Sequence, residues 1–148
     1  MELQSHYLTK EKVLAYILRQ LNGQTEILIF RHADYPEAGV QVPAGTLEIG
    51  EERVAALLRE VEEESGLTTF EKVRLIGTTT FLAHSKQEIH QRHYYQLNFQ
   101  GDSPTQFEHR VSGKGVDKNM LFVYEWIAID NLPKLAANQD EMLTNIQS

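Results

Sequence analysis

Between Gly45 and Leu67 the chain sets three carboxylates on one side of a helix that must bury another side, and few folds can use such an element. The helix is predicted over Glu51 to Ser65. Glu51 and Glu52 fall in its first turn, where carboxylates favour the helix dipole. Gly66 stands where a left-handed glycine would end it. At about 100° per residue, Val54, Leu57, Leu58 and Val61 share one side, and Glu60, Glu63 and Glu64 share another. Like charges at that spacing cost about 0.2–0.5 kcal/mol per pair. A packed core has no use for such a cost, but a divalent cation does. Mg²⁺ and Mn²⁺ prefer hard oxygen ligands in octahedral geometry, shared with phosphates and water. A Glu-rich helix taken alone is usually a solvated acidic face. The glycine and arginine at set distances around this one turn the reading toward metal binding.

The rest of the chain alternates strands and turns. Val13 to Arg19 reads as a strand, Asn22-Gly23 as a hairpin turn, and Glu26 to Arg31 as the returning strand. Ala33 to Gly39 reads as a loop, and Val40-Gln41-Val42 as a short strand stopped by Pro43 and Gly45. Val73 to Ala83, Arg92 to Phe99 and Leu121 to Ile129 read as further strands. Gly101 to Asn119 is polar, a long loop or loose hairpin, and a short helix is expected within Leu132 to Ile146. No repeat, low-complexity tract or linker interrupts residues 1–148, which read as a single domain.

The segment Gly45-x5-Glu51-x7-Arg59-Glu60-Val61-x-Glu63-Glu64-x-Gly66-Leu67 resembles the signature of the Nudix hydrolases, with every fixed position filled. The resemblance implies an α/β fold with a mixed sheet, an α/β/α sandwich carrying a central catalytic helix. It implies metal-dependent hydrolysis of a phosphoanhydride in a nucleoside di- or triphosphate, or in a nucleoside diphosphate linked to another group. Carried over residue by residue, Glu60, Glu63 and Glu64 would hold Mg²⁺, with Mn²⁺ as a substitute, and the Gly45 carbonyl would add a ligand. Arg59 would orient the glutamates, and Glu51 would be an accessory ligand. A carboxylate must take a proton from the attacking water. Glu63 or Glu64 is expected to do so within the signature, and Glu108 is the candidate outside it. Glu48, Glu52 and Glu62 sit at variable positions and read as surface charge.

Outside that segment the signals thin out. Arg31 ends a strand just before it and can grip a phosphate bidentately. His109, Arg110, Lys114 and Lys118 make one loop locally basic. His90 and His93 enter or flank a strand and make a poor zinc pair. Leu82-Ala83-His84 lies where ADP-ribose hydrolases typically carry a proline and dinucleoside polyphosphate hydrolases a tyrosine. Pro43-Ala44-Gly45 resembles a variant seen in some nucleotide-sugar hydrolases.

Composition bounds the alternatives. A net charge of −7 argues against gripping a nucleic-acid backbone, and hence against RNA decapping. The partner expected is a small nucleotide-type molecule. No apolar run is long enough to span a bilayer. The absence of cysteine excludes disulfides and thiolate metal sites, and a cytoplasmic location is expected. A homodimer is left open. The competing reading is a non-catalytic nucleotide-sensing module on the same fold, which its intact glutamates disfavour.

Overall fold

The computed structural model describes residues 6–147. Seven strands form one mixed sheet: β1 (Leu8–Leu21), β2 (Gln24–His32), β3 (Ala44–Thr46), β4 (Phe70–Ala83), β5 (Glu88–Phe99), β6 (Gln106–Arg110) and β7 (Leu121–Ala128). The order across the sheet is β4-β5-β1-β2-β7-β6, with β3 paired on β1 beside that path. The pairing of β1 with β5 is parallel, and the others are antiparallel. The one α-helix among the described residues, α1 (Arg53–Ser65), packs on one face.

Strand β1 lies at the centre, which explains its unbroken apolar run. Val13, Ala15 and Ile17 face α1, where they meet Ala56, Leu57 and Val61. Leu14, Tyr16 and Leu18 face the other way, onto Val42, Leu135 and the C-terminal segment. A strand covered on both sides needs apolar residues at every position rather than every second one. The β1–β2 turn is the expected Asn22-Gly23, both with positive φ (52° and 80°), as a tight two-residue hairpin requires.

Several expectations are corrected. The short strand is not Val40–Val42: Gln41 makes only an isolated bridge to Phe30, and the strand that pairs with β1 is Ala44–Thr46, past Pro43. Pro43 has no N–H to donate, but its carbonyl accepts from Ala15 N–H at 2.9 Å. The helix begins at Arg53, because Glu48 to Glu51 form a turn with Gly50 at φ 80° and the Glu51 carboxylate is drawn back to Arg59. Leu58 stays 38% exposed and Ala56 takes its place in the core. The Gly101–Asn119 region contains β6, whose Phe107 stacks on Tyr124. No α-helix forms within residues 132–146. That segment makes 3₁₀ turns at Ala136–Asn138 and Leu143–Asn145, tied down by its apolar side chains. Side-chain docking rather than helical periodicity therefore holds it. No helix among the described residues is long and apolar enough to cross a membrane.

Candidate active site

A cleft of about 1090 Å³ opens where the edge of β3 meets the last two turns of α1. Its acidic end carries Glu48, Glu60, Glu63, Glu64 and Asp117, and its other end carries Lys12, Lys86, His90, Arg92 and Phe81. Gly45 sits between α1 and β1. A Cβ on Gly45 would run into the Glu60 carboxyl, with Oε1 only 2.5 Å away. Only glycine lets β3 come this close to the helix, and that closeness brings the Gly45 backbone up against the glutamates.

The three helix carboxylates differ in setting. Glu64 is 6% exposed, and its Oε1 accepts from Ala44 N–H at 3.3 Å. Its carboxyl and that of Glu60 are hydrogen-bonded to each other. Burial first, and Glu60 second, push the Glu64 carboxyl well above the usual carboxylate range. Burial also raises Glu60, against the pull of Arg59. Glu63 is half-buried, and its carboxyl lies where a side chain on Gly113 would stand.

Arg59 holds the set together. Its Nε donates to Glu51 Oε2 at 2.7 Å and its Nη2 to Glu51 Oε1 at 2.9 Å. Its Nη1 reaches Glu60 Oε1 at 2.9 Å and Glu63 Oε1 at 3.1 Å. The paired fork on Glu51 is a strong, directional contact. With Glu48 N–H also donating to it, the Glu51 carboxyl is held down to about 2. Glu51 is thus a clamp for the arginine. Glu48, expected as plain surface charge, is exposed but lines the cleft 3.9 Å from Arg59, whereas Glu52 and Glu62 are exposed outside it.

Among the described residues no three carboxylate or imidazole groups already converge on one point as ligands would. The reason is visible: Arg59 engages Glu60 and Glu63, while the Glu60 and Glu64 carboxyls turn toward each other. The donors nonetheless fit a hard divalent cation. They are all oxygens, and one is a buried carboxyl with no cationic partner among the described residues, a charge that a cation would offset. Glu60, Glu63, Glu64 and the Gly45 carbonyl are the groups that can hold it.

The loop over this end is fastened to α1. Ser112 N–H donates to the Glu63 carbonyl at 3.0 Å, and the His109 ring lies 3.1 Å from the same oxygen. This brings Lys114 and Asp117 to the cleft, while Arg110 bonds the Asn119 carbonyl and Lys118 does not line the cleft.

Two further sequence candidates lie elsewhere. Glu108 is exposed on β6, on the face opposite Phe107 and His109, and so points away from α1. Strand alternation turned it outward. Arg31 is outside the cleft, 3.7 Å from Glu125 on β7. It is one residue out of phase with Phe30, which faces the helix, so it projects from the opposite side of the sheet. His90 and His93 are both buried in β5 but point to opposite faces, one bonded to Glu88 and the other to Glu11. Sequence reading missed Lys12, Lys86, Phe81 and Arg92 as cleft residues. Only the β1–β3 and β4–β5 registers bring them there, and no local pattern signals it.

A model of the NUDIX domain matches residues 10–146. The chain is 29% identical over 121 residues to an RNA pyrophosphohydrolase of Rhodospirillum rubrum, covering 78% of this chain and 72% of that one. A MutT Nudix hydrolase from Burkholderia pseudomallei superposes with a TM-score of 0.70 at 23% identity, covering 94% and 98% of the two chains. The NUDIX domain of Shewanella oneidensis NrtR, solved with ADP ribose, gives 0.70 at 12% identity, covering 96% and 88%. A C. elegans Ap4A hydrolase gives 0.61 at 22% identity, covering 93% and 96%. At these identities the structural likenesses speak for the fold.

Proposed function

The chain belongs to the Nudix hydrolase family, and on that premise we propose that it hydrolyses a phosphoanhydride bond in a nucleoside di- or triphosphate, or in a nucleoside diphosphate linked to another group, with Mg²⁺ or Mn²⁺ held by Glu60, Glu63, Glu64 and the Gly45 carbonyl. The observation that carries this reading is the meeting of Glu60 and Glu64 at Gly45. Two carboxyls facing each other in a partly buried site cost the fold stability, and a divalent cation offsets that cost.

When bound, the cation polarises the phosphate oxygens and lowers the pKa of the attacking water. The protein's own groups do the rest. Arg59, clamped by Glu51, fixes the directions of Glu60 and Glu63. Glu63, half-buried beside the Gly113 loop, is better placed than the more deeply buried Glu64 to take a proton from water. The loop from Val111 to Asp117 lines the acidic end.

The test is release of phosphate or nucleotide with Mg²⁺ and with Mn²⁺. The panel holds nucleoside triphosphates, ADP-ribose, nucleotide sugars, dinucleoside polyphosphates and coenzyme A. One class should be turned over well above the others, and Glu63→Gln and Glu64→Gln should abolish turnover in folded protein. Tight metal-dependent nucleotide binding with no release from any substrate would favour the sensing module instead. A second reading, a 5′-triphosphorylated RNA end as substrate, draws on the Rhodospirillum rubrum relative. The net charge of −7 weighs against it. Release of diphosphate from such an RNA faster than from free nucleotides would reverse that judgement.

A further inference from the structure

The end of the cleft away from the glutamates is built from four strands that meet side by side. Lys12 on β1 pairs with Thr46 on β3 and with Arg92 on β5. Phe81 on β4 pairs with His90 on β5. Most of the charge here is already matched. Arg92 lies over the Phe81 ring, its guanidinium carbon 3.8 Å from the centroid, and bonds Glu141 at 3.2 Å, where Tyr94 and Thr79 also donate. His90 bonds Glu88, which also pairs with Lys10 at 3.4 Å.

Two cations at this end of the cleft are not matched. Lys12 is half-buried, yet its ammonium donates only to the Thr46 hydroxyl, at 2.5 Å, and it forms no ion pair among the described residues. Lys86 stands on the 3₁₀ turn after β4, next to Gln87 at φ 54°, and likewise forms no ion pair among the described residues. Burial and Lys86 both press on the Lys12 ammonium and lower its affinity for the proton. A half-buried cation bonded only to a neutral hydroxyl is an unfavourable arrangement for a folded protein by itself. It becomes favourable when an anion arrives.

The Lys12–Thr46 bond also fixes where that anion would sit. Thr46 follows Gly45, and Gly45 lies against the Glu60 carboxyl. An anion on Lys12 therefore adjoins whatever is held at the glutamates. We propose that Lys12 and Lys86 form a phosphate subsite next to the carboxylate end, which holds a phosphate contiguous with those flanking the bond to be cleaved. This rests on the phosphoanhydride reading and extends it. The two lysines select for the length of the phosphate run, and the class favoured is a nucleotide carrying at least three contiguous phosphates. The Arg92-backed Phe81 floor lies beyond them.

The test separates the subsite from turnover. Inorganic phosphate, pyrophosphate and tripolyphosphate are titrated at low salt into the full chain in EDTA, and again with Ca²⁺, following backbone amide shifts by NMR. In EDTA tripolyphosphate should shift the Lys12 and Lys86 amides, and a Lys12→Gln/Lys86→Gln variant should bind it about tenfold more weakly or worse. Lys12→Arg should retain most of the binding, and Lys118→Gln, outside the cleft, should bind as the parent does. With Ca²⁺ the parent should gain affinity for tripolyphosphate more than for pyrophosphate, and the double variant should lose that difference. Equal affinity of parent and double variant for tripolyphosphate, or no preference for the longer chain with Ca²⁺, overturns the proposal. Neither outcome depends on hydrolysis. A chain that binds as described but turns nothing over would refute only the hydrolase reading.

Discussion

Replacing Gly45 by alanine tests whether the approach of β3 to α1 serves the chemistry rather than the fold. The Gly45 backbone carries no positive φ, so alanine is not strained there. The new Cβ would overlap the Glu60 carboxyl, whose nearer oxygen is 2.5 Å away, against 3.4 Å for ordinary contact. The carboxyl carbon and Cγ lie closer still, so Glu60 must retreat by more than about 1 Å, and displacement on that scale costs about 10²-fold in rate at a reacting centre. Every atom it meets belongs to the Glu60 side chain, Cγ included, and none to backbone, so a rotamer change can relieve the clash without moving the strand. The stability cost should then fall at or below the low end of overpacking, about 1 kcal/mol. The assay pairs kcat on the preferred substrate with a denaturant melt and a Mg²⁺ titration. The expected result is a folded variant with weakened Mg²⁺ affinity and a rate down by about 10²-fold or more. Full activity would show that Glu60 need not sit against Gly45. An unfolded variant would show that the strand–helix contact is structural.

Four shorter predictions accompany it. Glu64→Gln should raise the melting temperature of metal-free protein at neutral pH while abolishing turnover. A carboxyl raised by burial stabilises fully below its unfolded value of 4.5 and loses that contribution as pH rises through its folded value; a melting temperature that drops without metal would contradict this. Arg59→Lys should cut kcat about tenfold or more, because one ammonium cannot bridge Glu51, Glu60 and Glu63 as the guanidinium does; near-parent kcat would refute it. Gly77→Ala would push against Met142 and the Asn145 amide, so it should loosen the C-terminal segment, cost about 1–3 kcal/mol in a melt and spare kcat. Tyr16, Tyr94 and Tyr124 are all raised by burial. Their stabilisation is complete below the ordinary tyrosine value of 10.0 and is lost above it, at about 1.4 kcal/mol per pH unit for each tyrosine. Denaturant midpoints between pH 9 and 12, with tyrosinate absorbance as the companion signal, measure this directly.

The elements that were legible in the sequence are those whose causes are local. The Asn22-Gly23 turn needs only residues that tolerate positive φ, and Gly66 closes α1 at φ 79° for the same reason. Glu60, Glu63 and Glu64 share a side of α1 because of helix periodicity alone. Arg59 reaches Glu63 because the two are four residues apart. What escaped the sequence depends on partners distant in the chain. Arg31 and Glu108 were plausible from position, but strand phase turned Glu108 away from α1, and Arg31 lies against Glu125 outside the cleft.

The terminal segment looked helical, yet it is held by Leu135, Met142 and Ile146 docking on the sheet. The displacement of the expected strand from Val40–Val42 to Ala44–Thr46 has the same origin, since register is a property of the pair and not of either strand. The sequence by itself determined the family, the helix and its three carboxylates, because spacing along one helix becomes direction in space. Only the tertiary structure decided that Gly45 touches Glu60, that Glu64 is buried at the cleft, and that Lys12 stands beside them with no ion pair among the described residues. Those facts come from strands packed edge to edge, and each depends on a neighbour far away in the sequence.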